Sequence, residues 1–339
     1  MNVVQRIVAR VDAFQQRRRW TAFPYAVVKK FGDDQAGYLA ALVAYYGFFS
    51  LFPLLLVFVS VLGLLLRGNP SLQQSILDSA LRSFPVIGTD ISKNIHSISG
   101  SGAALAVGIV GTLWAGLGVT QAAQNAMNVV WDVPRKDRPN FLFSRLRGLL
   151  LLAVLGTVVV ASTFAGGFAA SGGTNSVLDV LLRVAGLLVS LLLNVVLFAV
   201  SYRVLTSRDL SWRDVLPGAI VAAMLWTVLQ TVGGYYVTHQ LKGATNVYGT
   251  FAIVIGLLVW IYLGAQVTLL CAEINVVRVE HLWPRSLQEP PLSDADERTM
   301  EQAAQAEERV DQERVEVEFD PSARTRERPP PPGDRQQAS

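Results

Sequence analysis

The sequence predicts an all-α polytopic membrane protein, a bundle of six transmembrane helices with N- and C-termini cytoplasmic. Three observations predict it. Six apolar runs, about residues 39–66, 103–130, 148–170, 180–201, 215–237 and 247–277, share a single acidic side chain, Glu273. Each run reaches the ~20 residues that a helix needs to cross a bilayer core. Hydrophobic residues make up 51% of the chain and charged residues 16%, against ~25% charged in soluble domains. Basic residues gather in alternate connections, which sets the orientation by the positive-inside rule.

Residues 1–30 form a cytoplasmic amphipathic segment, with Val4, Ile7, Val11 and Phe14 at helical spacing opposite Arg6, Arg10 and Arg17. That pattern fits a helix lying on an anionic leaflet, and equally a helix packed on the bundle. The membrane domain spans residues 31–284. Its first run carries Pro53 in SLFPLLL, a candidate hinge or kink because it removes one backbone hydrogen bond. Ser50 or Tyr46 could satisfy the freed carbonyl. The loop that follows is external, with Leu72, Ile76 and Leu81 and then Ile87, Ile91, Ile95 and Ile98 at amphipathic spacing.

In the second run Gly108, Gly111, Ala115, Gly118 and Ala122 permit close helix approach. Arg135, Lys136, Arg138, Arg145 and Arg147 mark its exit as cytoplasmic, as Arg203, Arg208 and Arg213 do for the fourth-to-fifth connection. Pro217 sits in the first turn of the fifth span, where it marks a helix start. The first apolar run begins late and lacks a small-residue cleavage site, so no cleavable signal peptide is expected. Residues 1–284 hold 21 Lys/Arg and 12 Asp/Glu, and residues 285–339 hold 8 and 14. The segment 285–339, charged and Pro-rich, is expected to be a disordered cytoplasmic tail, with a short helix near Glu301 to Arg314 as an alternative.

Several chemistries lack their residues. The one cysteine, Cys271, lies in the sixth run, and His96, His239 and His281 are far apart in sequence, so no metal signature is present. Neither a phosphate-cradling GxxxxGK[ST] loop nor a GxSxG elbow occurs. No cofactor is expected. The basic residues are explained by topology, and nucleic acid is not an expected partner; membrane lipids are.

Polar residues inside spans are costly unless partnered or facing a wet cavity. Gln121, Asn125 and Asn128 share one stripe of the second span, and Gln266 and Glu273 one arc of the sixth. Both sets fall in the cytoplasmic half, at the level of Tyr45 in the first span, Tyr202 and Arg203. They form a candidate polar pocket around one carboxylate, with Glu273 as a candidate proton carrier. The plainer reading makes the amides helix staples and pairs Glu273 with Arg203.

Four stretches carry a resemblance: AGYLAALVAYYGFFSLFPLLL, GTLWAGLGVTQAAQNAMNVVWDVP, LPGAIVAAMLW and VYGTFAIVIGLLVWIYLGAQVTLLCAEIN. The chain resembles the YihY/BrkB family of bacterial inner-membrane proteins, once labelled ribonuclease BN. Cys271 departs from the Gly usual in that family, leaving Glu273 and Asn275 in register. The resemblance implies a six-span fold in the bacterial plasma membrane and a link to envelope integrity. The leading reading is a transporter or flippase-like exporter of a lipidic or amphipathic envelope component, without its own nucleotide site, its pathway supplied by the kinked first helix, the polar stripe and the lone acid. The alternatives are a non-transporting membrane scaffold and, least supported by the residues, a tRNA-processing ribonuclease. Asp132, Asp137, Asp209 and Asp214 each lie near Arg or Lys in the sequence and form no acid/base cluster there. Substrate, energy coupling and oligomeric state are not legible.

Overall fold

The computed structural model describes residues 3–65, 102–153, 157, 177–236 and 250–320. The loop expected to be external and most of the third apolar run lie outside the described residues. Every regular element among those described is helical. In order they are α1 (Val3–Gln16), α2 (Arg19–Asp33), α3 (Ala36–Leu65), α4 (Gly102–Val130), a 3-10 turn (Arg135–Asp137) and α5 (141–153). They continue as α6 (Val177–Leu205), α7 (Trp212–Tyr236), α8 (Thr250–Val279) and α9 (Asp294–Gln305).

Among the described residues three helices are long and apolar enough to cross a membrane, over Leu188–Leu205, Trp212–Gly233 and Val254–Val279, and Ala36–Leu51 adds a shorter apolar stretch. Only 17% to 28% of the three long stretches is buried inside the protein. Leu188, Leu192, Val228, Ile255 and Trp114 instead face outward, which suits a lipid solvent and not water.

Alanine lets the backbones meet. Ala36, Ala40 and Ala44, one helical turn apart, are fully buried on α3, and Phe48 continues the stripe. Ala126, Ala219, Ala222 and Ala272 do the same on α4, α7 and α8. α3 runs along α4 and α8, and α7 lies between α6 and α8. Pro53 is inside a continuous α3, and its ring fills the space beside Gly111 on α4. Tyr46 likewise fits over Gly118. The Ser50 hydroxyl donates to the Gly47 carbonyl at 2.8 Å, so it does not serve the Phe49 carbonyl that Pro53 frees.

One interhelical clamp went unread in the sequence. Pro217 has no N–H to give Arg213, and the Arg278 guanidinium donates to that carbonyl instead. Beside it, Asn275 Oδ1 accepts from the Gly218 N–H at 2.7 Å and its Nδ2 donates to the Val215 carbonyl at 3.1 Å. A Cβ at residue 218 would stand 2.2 Å from the Cys271 carbonyl oxygen and 2.5 Å from Asn275 Nδ2. Gly218→Ala should therefore separate α7 from α8 and destabilise the protein by at least about 2 kcal/mol. Thermal melting in detergent checks it, and an unchanged midpoint would remove the clamp from the fold.

Of the segment that composition marks as disordered tail, residues 285–308 are tied to the rest of the protein, and residues 321–339 lie outside the described residues. α9 begins with a capping box, in which the Ser293 side chain accepts from the Asp296 N–H and Asp296 accepts from the Ser293 N–H. Beyond α9 the backbone pairs with the loop after α4: Arg135 N–H donates to the Ala306 carbonyl at 3.1 Å and Lys136 N–H to that of Glu308 at 3.0 Å. Lys136 also binds the Glu308 carboxylate at 2.6 Å. The physical reason for the correction is that the segment's charges are matched by fixed partners far away in sequence, which composition cannot register. α1 packs here too, with Asp12 accepting from Leu287 N–H at 3.1 Å while Val11 and Phe14 face outward.

Candidate functional site

Where α2, α3, α4 and α8 converge, the fold buries four ionisable side chains together. Lys30 comes from the last turn of α2, and Asp34 is the residue that caps it. Lys30 Nζ binds Asp34 Oδ2 at 2.6 Å and Asp132 Oδ2 at 2.9 Å. Glu273, from α8, completes the group. Lys30 and Glu273 have no solvent exposure at all.

Local structure explains each position. Lys30 and Asp34 are spaced i, i+4, so their side chains meet over one turn. Asp132 follows the end of α4 with a φ of 46°, a left-handed conformation that Asp tolerates better than most residues. The reversal lets Val133 N–H close on the Asn128 carbonyl at 2.9 Å. It thereby directs the Asp132 carboxylate back toward α2.

The electrostatics are unbalanced by design of the chain. Three carboxyls face one ammonium. Burial works against the charge on Lys30, but Glu273, Asp34 and Asp132 together outweigh it and hold the lysine above its usual range. Burial pushes Asp34 up to about 6, with Lys30 drawing it down and Asp132 pushing it further up. Asp132 is also raised by burial, against the pull of Lys30. The Glu273 carboxyl lies against Asp34, yet neither of its oxygens receives a hydrogen bond from any donor among the described residues. Two carboxyls in that position form a hydrogen bond only by sharing a proton. The site thus sets three buried carboxyl groups against one lysine.

A second network lies directly beside it. Lys29, the neighbour of Lys30, binds Asp296 Oδ1 at 2.9 Å, Glu289 Oε1 at 2.5 Å and the Ser286 carbonyl at 2.8 Å. Arg285 bridges Asp33 Oδ2 at 2.8 Å and Asp296. Asp296 Oδ2 accepts from Ser286 N–H at 2.9 Å and from the Ser293 hydroxyl at 2.7 Å. Burial of Asp296 is overcome by donation from Lys29, Arg285 and Ser293, which holds its carboxyl well below the usual range.

The sequence-derived pocket residues are distributed more widely. Asn128 is buried, and its Oδ1 accepts from Ser207 N–H at 2.8 Å, tying α4 to the α6–α7 connection. Asn125 is exposed and accepts from Arg138 at 3.3 Å. Gln266 donates to Tyr262 Oη at 2.9 Å. Gln121 is half-buried, and Tyr45 is exposed with its ring 4.9 Å from that of Phe49. No hydrogen bond among the described residues joins any of these to Glu273. Tyr202 is buried and donates to the Thr268 carbonyl at 2.9 Å. Arg203, the expected partner of Glu273, instead stacks over Trp212 at 4.8 Å. The true neighbours, Lys30, Asp34 and Asp132, carried one missed signal: Lys30 and Asp34 stand at i, i+4 immediately before a span.

Comparison with known proteins places the chain. It is 32% identical to a UPF0761 membrane protein of Ralstonia nicotianae over 57% of its own length, and spans 42% of that protein. It is 26% identical to the putative ribonuclease-like protein YfkH of Bacillus subtilis, over 70% of this chain and 88% of that one. The inner membrane protein YhjD of Escherichia coli is 24% identical, over 76% of this chain and 81% of its own. No solved structure matches. Residues 27–294 match the family described as virulence factor BrkB, and that range takes in all four residues of the buried cluster as well as Arg285. With the outward-facing apolar helices, these matches make the chain a membrane protein of the BrkB/YihY family.

Proposed function

We propose that the protein is a transporter or flippase-like exporter of a lipidic or amphipathic envelope component, coupled to protons at the Lys30–Asp34–Asp132–Glu273 cluster. In this reading six helices span the bacterial inner membrane, both termini are cytoplasmic, and the cluster lies at the cytoplasmic end of the bundle. The observation that carries the reading is Glu273. It is a carboxyl on an apolar helix, fully buried, with no hydrogen-bond donor among the described residues and a second carboxyl beside it. Such a group is expensive to maintain for structure alone, because an apolar residue would pack there without the desolvation cost. Gain and loss of its proton change the charge that Lys30 must balance, and so change the attraction between α2 and α8. That supplies a two-state element for alternating access.

The scaffold alternative takes the tail and the amphipathic loop after the first span as its interaction surfaces, and that loop lies outside the described residues. Residues 285–308 are instead committed to contacts with α1, α2 and the loop after α4, which weakens that reading.

The test is lipid translocation in vesicles of bacterial polar lipids containing full-length protein, a trace fluorescent phosphatidylethanolamine and an imposed pH gradient. Wild type should move the label across the bilayer faster than protein-free vesicles do, at a rate set by the gradient. Glu273→Gln, which keeps the size of the side chain, should reduce movement to the protein-free rate without changing the melting point. Wild-type translocation equal to that of empty vesicles would rule the proposal out.

A further inference from the structure

A separate cavity of about 390 Å³ opens where α5, the end of α6 and the start of α7 meet. Arg147, Arg203, Arg208 and Trp212 line its polar side, and Leu150, Val200 and Val204 its apolar side. A second, of about 820 Å³, adjoins it through Arg147 and Leu150 and continues along Phe143, Leu146 and Leu149. None of these residues belongs to the buried cluster.

The charges are not all spoken for. Arg208 is paired with Glu280 at 2.8 Å. Arg147 donates one hydrogen bond, to the Thr206 carbonyl at 3.3 Å, and Arg203 stacks on Trp212. Neither has a carboxylate partner among the described residues. In the first cavity Asp209 is the one acidic lining residue against Arg147, Arg203 and the Glu280-paired Arg208, so its polar side keeps one net positive charge, while Asp137 lines the second cavity. Guanidinium groups present fixed pairs of donors that match the oxygens of a phosphate.

The apolar side decides which phosphate. Phe143, Leu146, Leu149 and Leu150 are exposed on α5, on either side of Arg147 along the helix. Trp212 is half exposed at the start of an apolar helix, the position such rings take at a membrane interface. A soluble anion would satisfy the arginines and leave these side chains uncovered; a lipid covers both. We infer that this cavity is a binding site for an anionic phospholipid, its phosphate held by Arg147 and Arg203 and its acyl chains laid along Leu150 and α5. The inference stands apart from the transport reading, because it concerns binding at a site that Glu273 does not touch.

Native mass spectrometry of the full-length protein, titrated with phosphatidylglycerol, phosphatidylcholine or inorganic phosphate, tests it. Phosphatidylglycerol should be retained in preference to phosphatidylcholine. Arg147→Gln/Arg203→Gln should weaken its retention roughly thirtyfold, the equivalent of about 1 kcal/mol for each guanidinium lost. Glu273→Gln and the exposed control Arg17→Gln should leave retention unchanged, and the double variant should melt as wild type does. Equal retention of the two lipids, inorganic phosphate bound without phosphatidylglycerol, or loss in the Arg17 control would each overturn the assignment.

Discussion

Replacing Lys30 with Met is expected to leave almost no folded protein after detergent extraction. The substitution removes the one cation from a site that holds Asp34, Asp132 and Glu273. Breaking a buried ion pair by deleting one partner costs about 3–5 kcal/mol, because the other charges stay buried without compensation. That is a large part of the ~5–15 kcal/mol that typically separates folded from unfolded protein. Size-exclusion chromatography and thermal melting read the loss. Removing an opposing charge as well, in Lys30→Met/Asp132→Asn, should recover part of it. A double variant no better than the single would mean that the lysine acts through its bulk and not its charge. The pH dependence follows from Asp34, whose ordinary value of 3.8 is raised to about 6. Between those values the folded state holds more protons than the unfolded one. Its stability should thus fall as pH rises from about 4 to about 6 and level off above.

Asp296→Asn is the second large effect. This carboxylate receives Lys29, Arg285, the Ser293 hydroxyl and two backbone N–H groups, and it is wholly buried. An amide cannot accept them all, and two cations would be left facing each other. A cost of about 3 kcal/mol is expected, felt first as release of the segment from Arg285 onward. Limited proteolysis should then cut between residues 285 and 305, where the wild type resists. In the wild type the same linkage is lost only in acid: the depressed carboxyl contributes fully above about 4, and its contribution fades as pH falls through its lowered folded value. An unchanged cleavage pattern would show that the network is not what holds the segment.

The helices were legible because lipid forces backbone hydrogen bonds inside each apolar run. The run at 103–130 becomes α4 over Gly102–Val130, and 39–66 becomes α3 over Ala36–Leu65. The fourth run was read short: α6 continues past residue 201 to Leu205, because Tyr202 finds the Thr268 carbonyl on α8. Glu273 stood out as a lone acid among apolar residues. Its neighbours did not, since Lys30 carries the same signal as any positive charge beside a span, and Asp132 reaches it only through a left-handed turn. The asparagine and glutamine stripe was visible, but none of its amides turns to Glu273: Asn128 ties α4 to the α6–α7 connection and Asn125 meets Arg138. Asn275, with no stripe to belong to, is the residue that joins two helices.

The closure of the polar end by residues 285–308 also sets an order of events in biosynthesis. Asp33, Lys29 and Lys136 leave the ribosome long before Arg285, Asp296 and Glu308, which follow the last apolar helix in the chain. Until those later residues are made, the earlier ones have no counter-charges and Lys29 no carboxylate. The common end of the helices can therefore be locked only once the last part of the chain has been made. A stop codon anywhere between 280 and 296 should therefore yield a protein that reaches the membrane and is then removed by quality-control proteases, read as loss of full-yield protein in the membrane fraction.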